Sequence, residues 1–295
     1  LTSARSRPSE SQSGDALVER RPIVLTLSAL HQYAGLMTLN RNSWIWPVIV
    51  LSAIAVPVAL LGTNVRLAFS SLPVYAYAID AFDASSRMGV GRDELVQSMH
   101  GLIQYFGSSE DLITTTLVTL EGAREPLFND REALHFRDVK SLLNGVYTLQ
   151  LAAVFVLAAV SAGSAYATFR GDRAVAINLM RGLRYGSYGT IAGFVALGAF
   201  AALGAFNRLF VAFHELSFDN DLWQGVSTDR MVQLFPEAFF LQATLLIGLV
   251  AVFEASLIAG ATTFTTRALG KRIAGETREP DQAPHPTETE SASQI

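Results

Sequence analysis

Two histidines of the sequence stand beside carboxylates, each at the edge of a long apolar stretch. Glu132, His135 and Asp138 are spaced by three, so on a helix they share one face. His214 ends an apolar run and is followed at once by Glu215. A histidine with a carboxylate neighbour is a general base suited to neutral pH, because the carboxylate fixes its tautomer. The pattern predicts one catalytic pair, against the alternative of two independent histidines at a membrane interface.

Metal binding is the competing chemistry for these side chains. The two histidines have four carboxylates within a few residues that would suit zinc or a harder ion: Glu132, Asp138, Glu215 and Asp219. The segment HELSF resembles half of the zinc-protease motif HExxH, but Phe218 takes the place of the second histidine. The chain has no cysteine, no GxSxG and no Ser-x-x-Lys pattern, so a covalent mechanism has no signature. We therefore predict direct transfer by histidine acid–base chemistry, without a metal or a cofactor.

The composition is that of a membrane protein. Hydrophobic residues make up 50% of the chain and charged residues 16%, against about 25% charge in soluble domains. The formal net charge of −4 and the lack of a basic stripe with interleaved aromatics argue against nucleic acid as a partner. The sequence predicts an all-α integral membrane protein.

Four stretches are long and apolar enough to cross a bilayer, whose core needs about 20 residues of helix. They cover residues 44–65, 142–169, 188–213 and 239–266. The fourth contains Glu254, which we interpret as a hydrogen-bond partner within or between helices, or as a proton-pathway residue in a transporter. The scarcity of charge in the spans and the lack of an internal repeat argue against a channel or carrier.

Arginine and lysine residues set the predicted orientation. They are concentrated between the second and third spans, after the fourth span and before the first, which places these parts and both termini in the cytoplasm. The connections 66–141 and 214–238 then form the outer segments of the membrane protein. We accordingly predict a four-helix membrane domain over 44–266, between largely disordered cytoplasmic tails at 1–43 and 267–295.

The first outer segment has its own predicted secondary structure. Residues 74–82 alternate and include aromatics, which predicts a short strand. Residues 91–107 predict a helix that either lies flat on the outer leaflet or packs on its own domain. Its apolar stripe consists of Leu95, Met99, Leu102, Ile103 and Phe106. His100 lies off this stripe and is expected at the surface.

The second predicted helix of the outer segment carries the first histidine. Asn129 and Glu132 have the spacing of a capping box, so a helix should start near Asp130 and continue into the second span. At 1.5 Å per residue, His135 then lies about 10 Å above Leu142. This depth is that of lipid headgroups and glyceryl esters.

Longer motifs carry a resemblance to a known family. The first is E-x-x-H-x-x-D-V-K at 132–140, and the second is F-H-x-x-x-F-x-N-D-x-W at 213–223, followed by F-P-x-x-F-F at 235–240. Together they resemble the family of four-span bacterial integral membrane proteins that includes the lipoprotein intramolecular transacylase. The resemblance runs from about residue 44 to residue 266.

This resemblance implies a membrane acyltransferase that needs no cofactor. The enzyme would move an acyl chain from the diacylglyceryl group of a lipoprotein to its N-terminal cysteine amine at the outer leaflet. Its partners would be a membrane lipoprotein or phospholipid substrate and the lipid bilayer. The resemblance also implies that His135 and His214 are essential.

Each candidate residue has an expected role. One assignment has His135 take the proton of the amine, oriented by Glu132 or Asp138, while His214 polarises or protonates the ester oxygen. Which histidine acts as base and which as acid stays open. Four residues are expected to place the carbonyl or the lipid head: Arg137, Glu215, Asn220 and Trp223. Trp223 would also suit an interfacial anchor. The alternative is a non-enzymatic scaffold or transporter-like envelope protein, which histidines more than about 10 Å apart without a cleft would favour.

Overall fold

The computed structural model describes residues 44–276, so the two predicted tails lie largely outside the described residues. The chain divides into two units, Leu1–Trp44 and Ile45–Ile295, and the elements named here belong to the second. In chain order these elements are α1 Ile45–Ser70, α2 Leu72–Ala81, α3 Ala84–Met88, α4 Arg92–Gly107, β1 Thr116–Val118, β2 Arg124–Pro126, α5 Asp130–Phe169, α6 Arg173–Ala202, α7 Phe206–Ser217, α8 Arg230–Leu234 and α9 Glu237–Glu276.

Four long helices, α1, α5, α6 and α9, pack side by side as a bundle. Helices α1, α5 and α9 are each long and apolar enough to cross a membrane, and α6 with α7 gives a fourth candidate if this bent pair is one span. The predicted class, a helical multi-pass membrane protein, is confirmed. Helix α9 continues to Glu276, past the predicted end of the fourth span at residue 266.

The predicted third span, residues 188–213, does not correspond to one continuous helix. Helix α6 begins at Arg173 instead of residue 188, because Asp172 caps it by accepting a hydrogen bond from the amide of Val175 at 3.2 Å. It ends at Ala202, and the chain then turns by 119° into α7. Gly204 permits the turn through its positive φ of 73°, which other residues rarely adopt. The apolar run is continuous across this break, so hydrophobicity alone does not reveal it.

Helix α6 lies close against α1 because glycines face the contact. A Cβ atom on Gly182 would come within 2.6 Å of Ser52 Cβ, and one on Gly186 within 2.7 Å of Val56 Cβ. Small residues at such positions let two membrane helices approach until their backbones touch.

Polar side chains also link the bundle. Asn64 of α1 donates a hydrogen bond from Nδ2 to Glu254 Oε2 of α9 at 2.9 Å. Gln150 of α5 donates from Nε2 to Thr63 Oγ1 of α1 at 3.0 Å. Glu254 is therefore an interhelical hydrogen-bond acceptor, one of the roles that the sequence left open.

A cap, defined here as residues 72–129 and 218–236, covers the end of the bundle where α1 ends and α5 and α9 begin. Its core contains the apolar stripe of α4, so that helix packs on its own domain. The fully buried members of this core include Leu95, Met99, Leu102, Leu117 and Leu127. A short antiparallel hairpin, β1–β2, covers the same core and was not predicted.

The strand predicted over 74–82 is wrong, because this segment forms helix α2. Pro73 stands in the first turn, where its fixed φ favours a helix start. Tyr75, Ala78 and Ile79 are buried at helical spacing. The apparent alternation was therefore compatible with one face of a helix.

The capping box of α5 is confirmed. The side chain of Asn129 accepts from the amide of Glu132 at 3.0 Å, and Glu132 Oε2 accepts from the amide of Asn129 at 2.8 Å. Helix α5 then runs unbroken from Asp130 to Phe169. Its first turns belong to the cap and the rest to the bundle, so it connects the two parts rigidly.

Gly186→Ala is expected to destabilise the protein. A methyl group there would lie 2.7 Å from the carbonyl oxygen of Ala53, so α1 and α6 would have to separate at a cost of about 1–3 kcal/mol. Gly189→Ala is the matched control, since a Cβ at Gly189 meets no described atom within 4 Å. Thermal unfolding of the detergent-solubilised variants measures the difference. Equal melting temperatures would contradict this account of the packing.

Candidate active site

The two histidines singled out by the sequence meet in the structure. His135 lies in the second turn of α5 and His214 in the last turn of α7. Their ring centroids are 6.2 Å apart. The side chains are buried, with exposed fractions of 5% and 8%. The separation is well inside the limit of about 10 Å set for joint catalysis.

Aromatic side chains enclose the pair. Phe218 lies 5.2 Å from the His135 ring and 5.7 Å from the His214 ring, measured between centroids. Trp223 stacks on His214 at 4.8 Å, and Phe210 lies at 4.3 Å from the same ring. Apolar surroundings penalise a charged group more than a neutral one. The enclosure therefore favours uncharged imidazole rings, which can accept a proton.

One hydrogen bond defines the tautomer of His214. Its Nδ1 atom lies 2.7 Å from the carbonyl oxygen of Phe210. A carbonyl oxygen only accepts, so Nδ1 carries the hydrogen and donates it. In the neutral ring this leaves Nε2 with a free lone pair, which is the property of a general base.

His135 has a different environment. Its Nδ1 atom is buried and has no hydrogen-bond partner among the described residues. An unpaired buried N–H is rarer in proteins than an unpaired acceptor. The favoured neutral tautomer of His135 therefore carries its hydrogen on Nε2, which makes that nitrogen a donor.

Both rings line one cavity of about 380 Å³. This volume lies in the range of small-molecule binding sites. Apart from the histidines, most of the wall is apolar or aromatic, and α7, α8, α9 and the loop before α8 contribute to it. The lining includes Asn207, Phe210, Trp223, Met231 and Glu237.

The carboxylates expected to orient His135 bind elsewhere. Glu132 is 1% exposed, and its oxygens accept from the amides of Asn129 and Met231 at 2.8 and 2.7 Å. Asp138 Oδ2 accepts from Asn220 Nδ2 at 2.9 Å. Among the described residues, neither carboxylate forms a hydrogen bond with His135. Both acids therefore position chain segments around the histidines.

Of the four residues expected to bind substrate, Trp223 alone is among the described residues that line the cavity. Arg137 extends toward Asp111, with 3.8 Å between NH1 and Oδ2. Asn220 is exposed and binds Asp138, as described above. Glu215 is exposed on α7, because the residue next to His214 on a helix points to a different side.

Arg131 and Asp229 are parts of the site that sequence reasoning missed. The Arg131 guanidinium donates to the carbonyl oxygens of Leu222 and Gln224 and forms an ion pair with Asp229. Burial alone would raise the pKa of Asp229, but hydrogen bonds from the Val226 amide and Arg131 hold that pKa below its usual value. These contacts fix the loop that carries Trp223. Partners so distant in sequence leave no local signal.

Lys140, the last residue of the first motif, has a similar anchoring role. Its Nζ atom donates to the carbonyl oxygen of Glu110 at 2.7 Å and to Ser108 Oγ at 3.2 Å. It also lies 4.2 Å above the ring centroid of Tyr105. Lys140 thereby joins α5 to the end of α4 and is remote from the cavity lining.

The metal alternative finds no ligand set in the described part of the chain. Within residues 44–276, no three histidine, aspartate, glutamate or cysteine side chains lie together as a candidate metal site. Of the four carboxylates considered, Glu132 accepts from backbone amides and Asp138 from Asn220.

The bundle, the cap and the site define a class of protein: a multi-pass helical membrane protein with a buried histidine pair facing a cavity. The model of the family "Lipoprotein intramolecular transacylase Lit" matches residues 50–240. The chain belongs to this family and is an acyltransferase. The family assignment thus favours an enzyme over the scaffold or transporter alternative.

Solved structures of the same fold come from Bacillus cereus. The in meso structure of its membrane-integral lipoprotein intramolecular transacylase Lit is 21% identical, with a TM-score of 0.60, and the match covers 79% of this chain and 99% of that one. A variant with a histidine-to-alanine mutation gives 20% identity, a TM-score of 0.59 and coverages of 80% and 99%. At this identity the likeness concerns the fold. A search of curated proteins found no match.

Arg131→Met is expected to loosen the loop of residues 218–229. Loss of the guanidinium leaves two loop carbonyls without this donor, while Asp229 keeps its bonds from Val226 and Asn129. The expected cost is about 1–3 kcal/mol. Backbone amides of the loop should then exchange with deuterium about tenfold faster. Hydrogen exchange of the detergent-solubilised protein, read by mass spectrometry, measures this.

The control for this experiment is Arg92→Met. Arg92 forms an exposed ion pair with Asp80 at 2.7 Å, and exposed pairs contribute little to stability. Its removal should leave exchange in residues 218–229 unchanged. If exchange there is also unchanged in Arg131→Met, other contacts hold the loop.

Proposed function

We propose that this protein transfers an acyl chain from the diacylglyceryl ester of a membrane lipoprotein to the N-terminal amine of the same lipoprotein. His135 and His214 supply the acid–base chemistry. The observation that carries the proposal is the juxtaposition of the two buried rings, 6.2 Å apart, on one cavity. The family assignment supports the reaction class.

The tautomers favour one of the two assignments of acid and base that the sequence left open. His214 Nε2 removes a proton from the amine as its nitrogen attacks the ester carbonyl carbon. His135 donates a hydrogen bond from Nε2 to the carbonyl oxygen, where negative charge develops. The carbon–oxygen bond to the glyceryl group then breaks, and His214 returns its proton to that oxygen. The amine has lost one hydrogen and the glyceryl oxygen has gained it, so the step balances.

The orientation of His214 by a carbonyl oxygen suits this cycle. In catalytic triads a carboxylate fixes the tautomer and the direction of the histidine ring, and here a backbone carbonyl oxygen takes that position. The Phe210 carbonyl directs the ring through the 2.7 Å contact without adding a full negative charge. The stacked Trp223 holds the ring from another side. The amine and the ester belong to one substrate molecule. Rings that hold the two groups close together in the cavity raise the rate of the reaction between them.

We further propose that the cap faces the outside of the bacterial cell membrane. The end of the bundle away from the cap carries basic residues, which favour the cytoplasm. They lie at the α5–α6 junction and near the end of α9: Arg170, Arg173, Arg267, Lys271 and Arg272. This orientation would bring the histidine pair to the outer leaflet, where lipoproteins carry their diacylglyceryl anchor.

His135→Ala and His214→Ala are each expected to lower acyl transfer about 100-fold or more, because general acid–base catalysis contributes at least that factor. The protein is expressed in a bacterium that makes diacylglyceryl lipoproteins. Mass spectrometry of the N-terminal lipopeptides then distinguishes the N-acylated, lyso-glyceryl product from the unmodified lipoprotein. Transfer by wild-type protein and its loss in both variants are the expected results.

His100→Ala is the control, because His100 is exposed on α4 of the cap and should leave transfer intact. Unmodified lipopeptides in cells that contain well-expressed wild-type protein would contradict the proposed reaction. Full activity in either of the other two variants would contradict the role assigned to that histidine.

A further inference from the structure

The cavity contains one acid that the reaction described above does not use. Among the described residues that line it, Glu237 is the one with a formal charge. It is the first residue of α9, and its side chain is exposed. Asn207 of α7 donates a hydrogen bond from Nδ2 to Glu237 Oε2 at 2.8 Å. This bond aims the carboxylate at the helix that also carries His214.

A structural role alone accounts for only part of this arrangement. An acid in the first turn of a helix interacts favourably with the helix dipole wherever its side chain points. Glu237, however, borders a cavity with mainly apolar walls and is held there by an amide from another helix. Near low-dielectric walls a carboxylate attracts a cation more strongly than it does in water.

We propose that Glu237, oriented by Asn207, is a binding subsite for a primary ammonium group, namely that of the N-terminal residue of the lipoprotein substrate. The inference rests on the proposed function, because it assigns the amine partner of that reaction. An α-amino group is largely protonated at neutral pH, so the substrate arrives as a cation. The amide product is neutral, and the subsite would therefore release it.

The geometry gives the subsite a place along the reaction path. Asn207 lies two turns before His214 on the same face of α7, about 10 Å along the axis. The contact with the Phe210 carbonyl draws the His214 ring back toward Asn207. An ammonium at Glu237 therefore lies in the same cavity as the histidine pair but apart from it, and the amine moves along the cavity to His214 Nε2 for the attack. The ammonium gives its extra proton to water before the neutral amine attacks, so the transfer step is unchanged.

Ligand binding tests the subsite without turnover. Two lipopeptides with ether-linked chains, which cannot be transferred, differ only in a free or an acetylated N-terminus. They are titrated against the full-length protein in phosphatidylglycerol nanodiscs. Wild-type protein should prefer the free amine, and Glu237→Gln should weaken free-amine binding about 5- to 10-fold. Binding of the acetylated peptide should stay the same.

Glu121→Gln is the matched control, because it removes one negative charge from an exposed turn of the cap outside the cavity lining. It should keep the preference for the free amine. A preference that survives Glu237→Gln overturns the subsite. Equal weakening of both lipopeptides also overturns it, because that result indicates a structural role.

A second arm separates the possible sources of the ammonium, since an ethanolamine headgroup carries the same group. Lysophosphatidylethanolamine is added as a competitor. If the lysolipid competes only weakly, the result supports the lipopeptide amine as the ligand of Glu237. If the lysolipid competes as strongly as the free-amine peptide, and only when Glu237 is present, the assignment to the lipopeptide is overturned.

Turnover of an ester-linked lipopeptide is measured in parallel with binding. If the ester-linked lipopeptide is converted but the preference for the free amine does not depend on Glu237, the subsite is refuted and the proposed function stands. A Glu237-dependent preference without conversion refutes the proposed function and supports the subsite.

Discussion

One buried carboxylate joins the parts from which the site is built. Glu132 accepts hydrogen bonds from the amide of Asn129, at the start of α5, and from the amide of Met231, in α8. The first bond defines where α5 begins, and so places His135 one turn later. The second attaches α8, which contributes Met231 to the cavity wall. Without this carboxylate the two amides would lose their partner, and a hydrogen bond to a charged group contributes about 1.5–3 kcal/mol.

The histidine pair is held by neutral groups. A carbonyl oxygen orients His214, aromatic rings enclose both imidazoles, and the nearby acids Glu132 and Asp138 are bound to other partners. This arrangement keeps the rings uncharged and leaves one nitrogen as an acceptor and another as a donor. A lipid ester and an amine need both properties at once. Among the described residues that line the cavity, the formal charge is on Glu237 of α9, which is bound by Asn207, two helical turns before His214 on α7.

The site lies where two packed regions meet. The bundle is held by glycine contacts between α1 and α6 and by polar bonds such as Asn64 to Glu254. The cap has an apolar core of its own around α4. Helix α5 runs through both regions, so the position of His135 is coupled to each. A junction of this kind suits a substrate with acyl chains in the membrane and a polar peptide beyond it.

The sequence by itself determined the features that depend on local spacing and composition. These include the apolar spans, the stripe of α4, the capping box that starts α5, and the two histidines as candidate residues. Only the tertiary structure decided that the chain breaks after Ala202, that Glu132 binds backbone amides, that Arg131 binds the loop beside the cavity, and that Glu237 borders the cavity. Periodicity and hydropathy report which face of an element is buried. They do not report which distant residue meets it, because that depends on how separate helices pack.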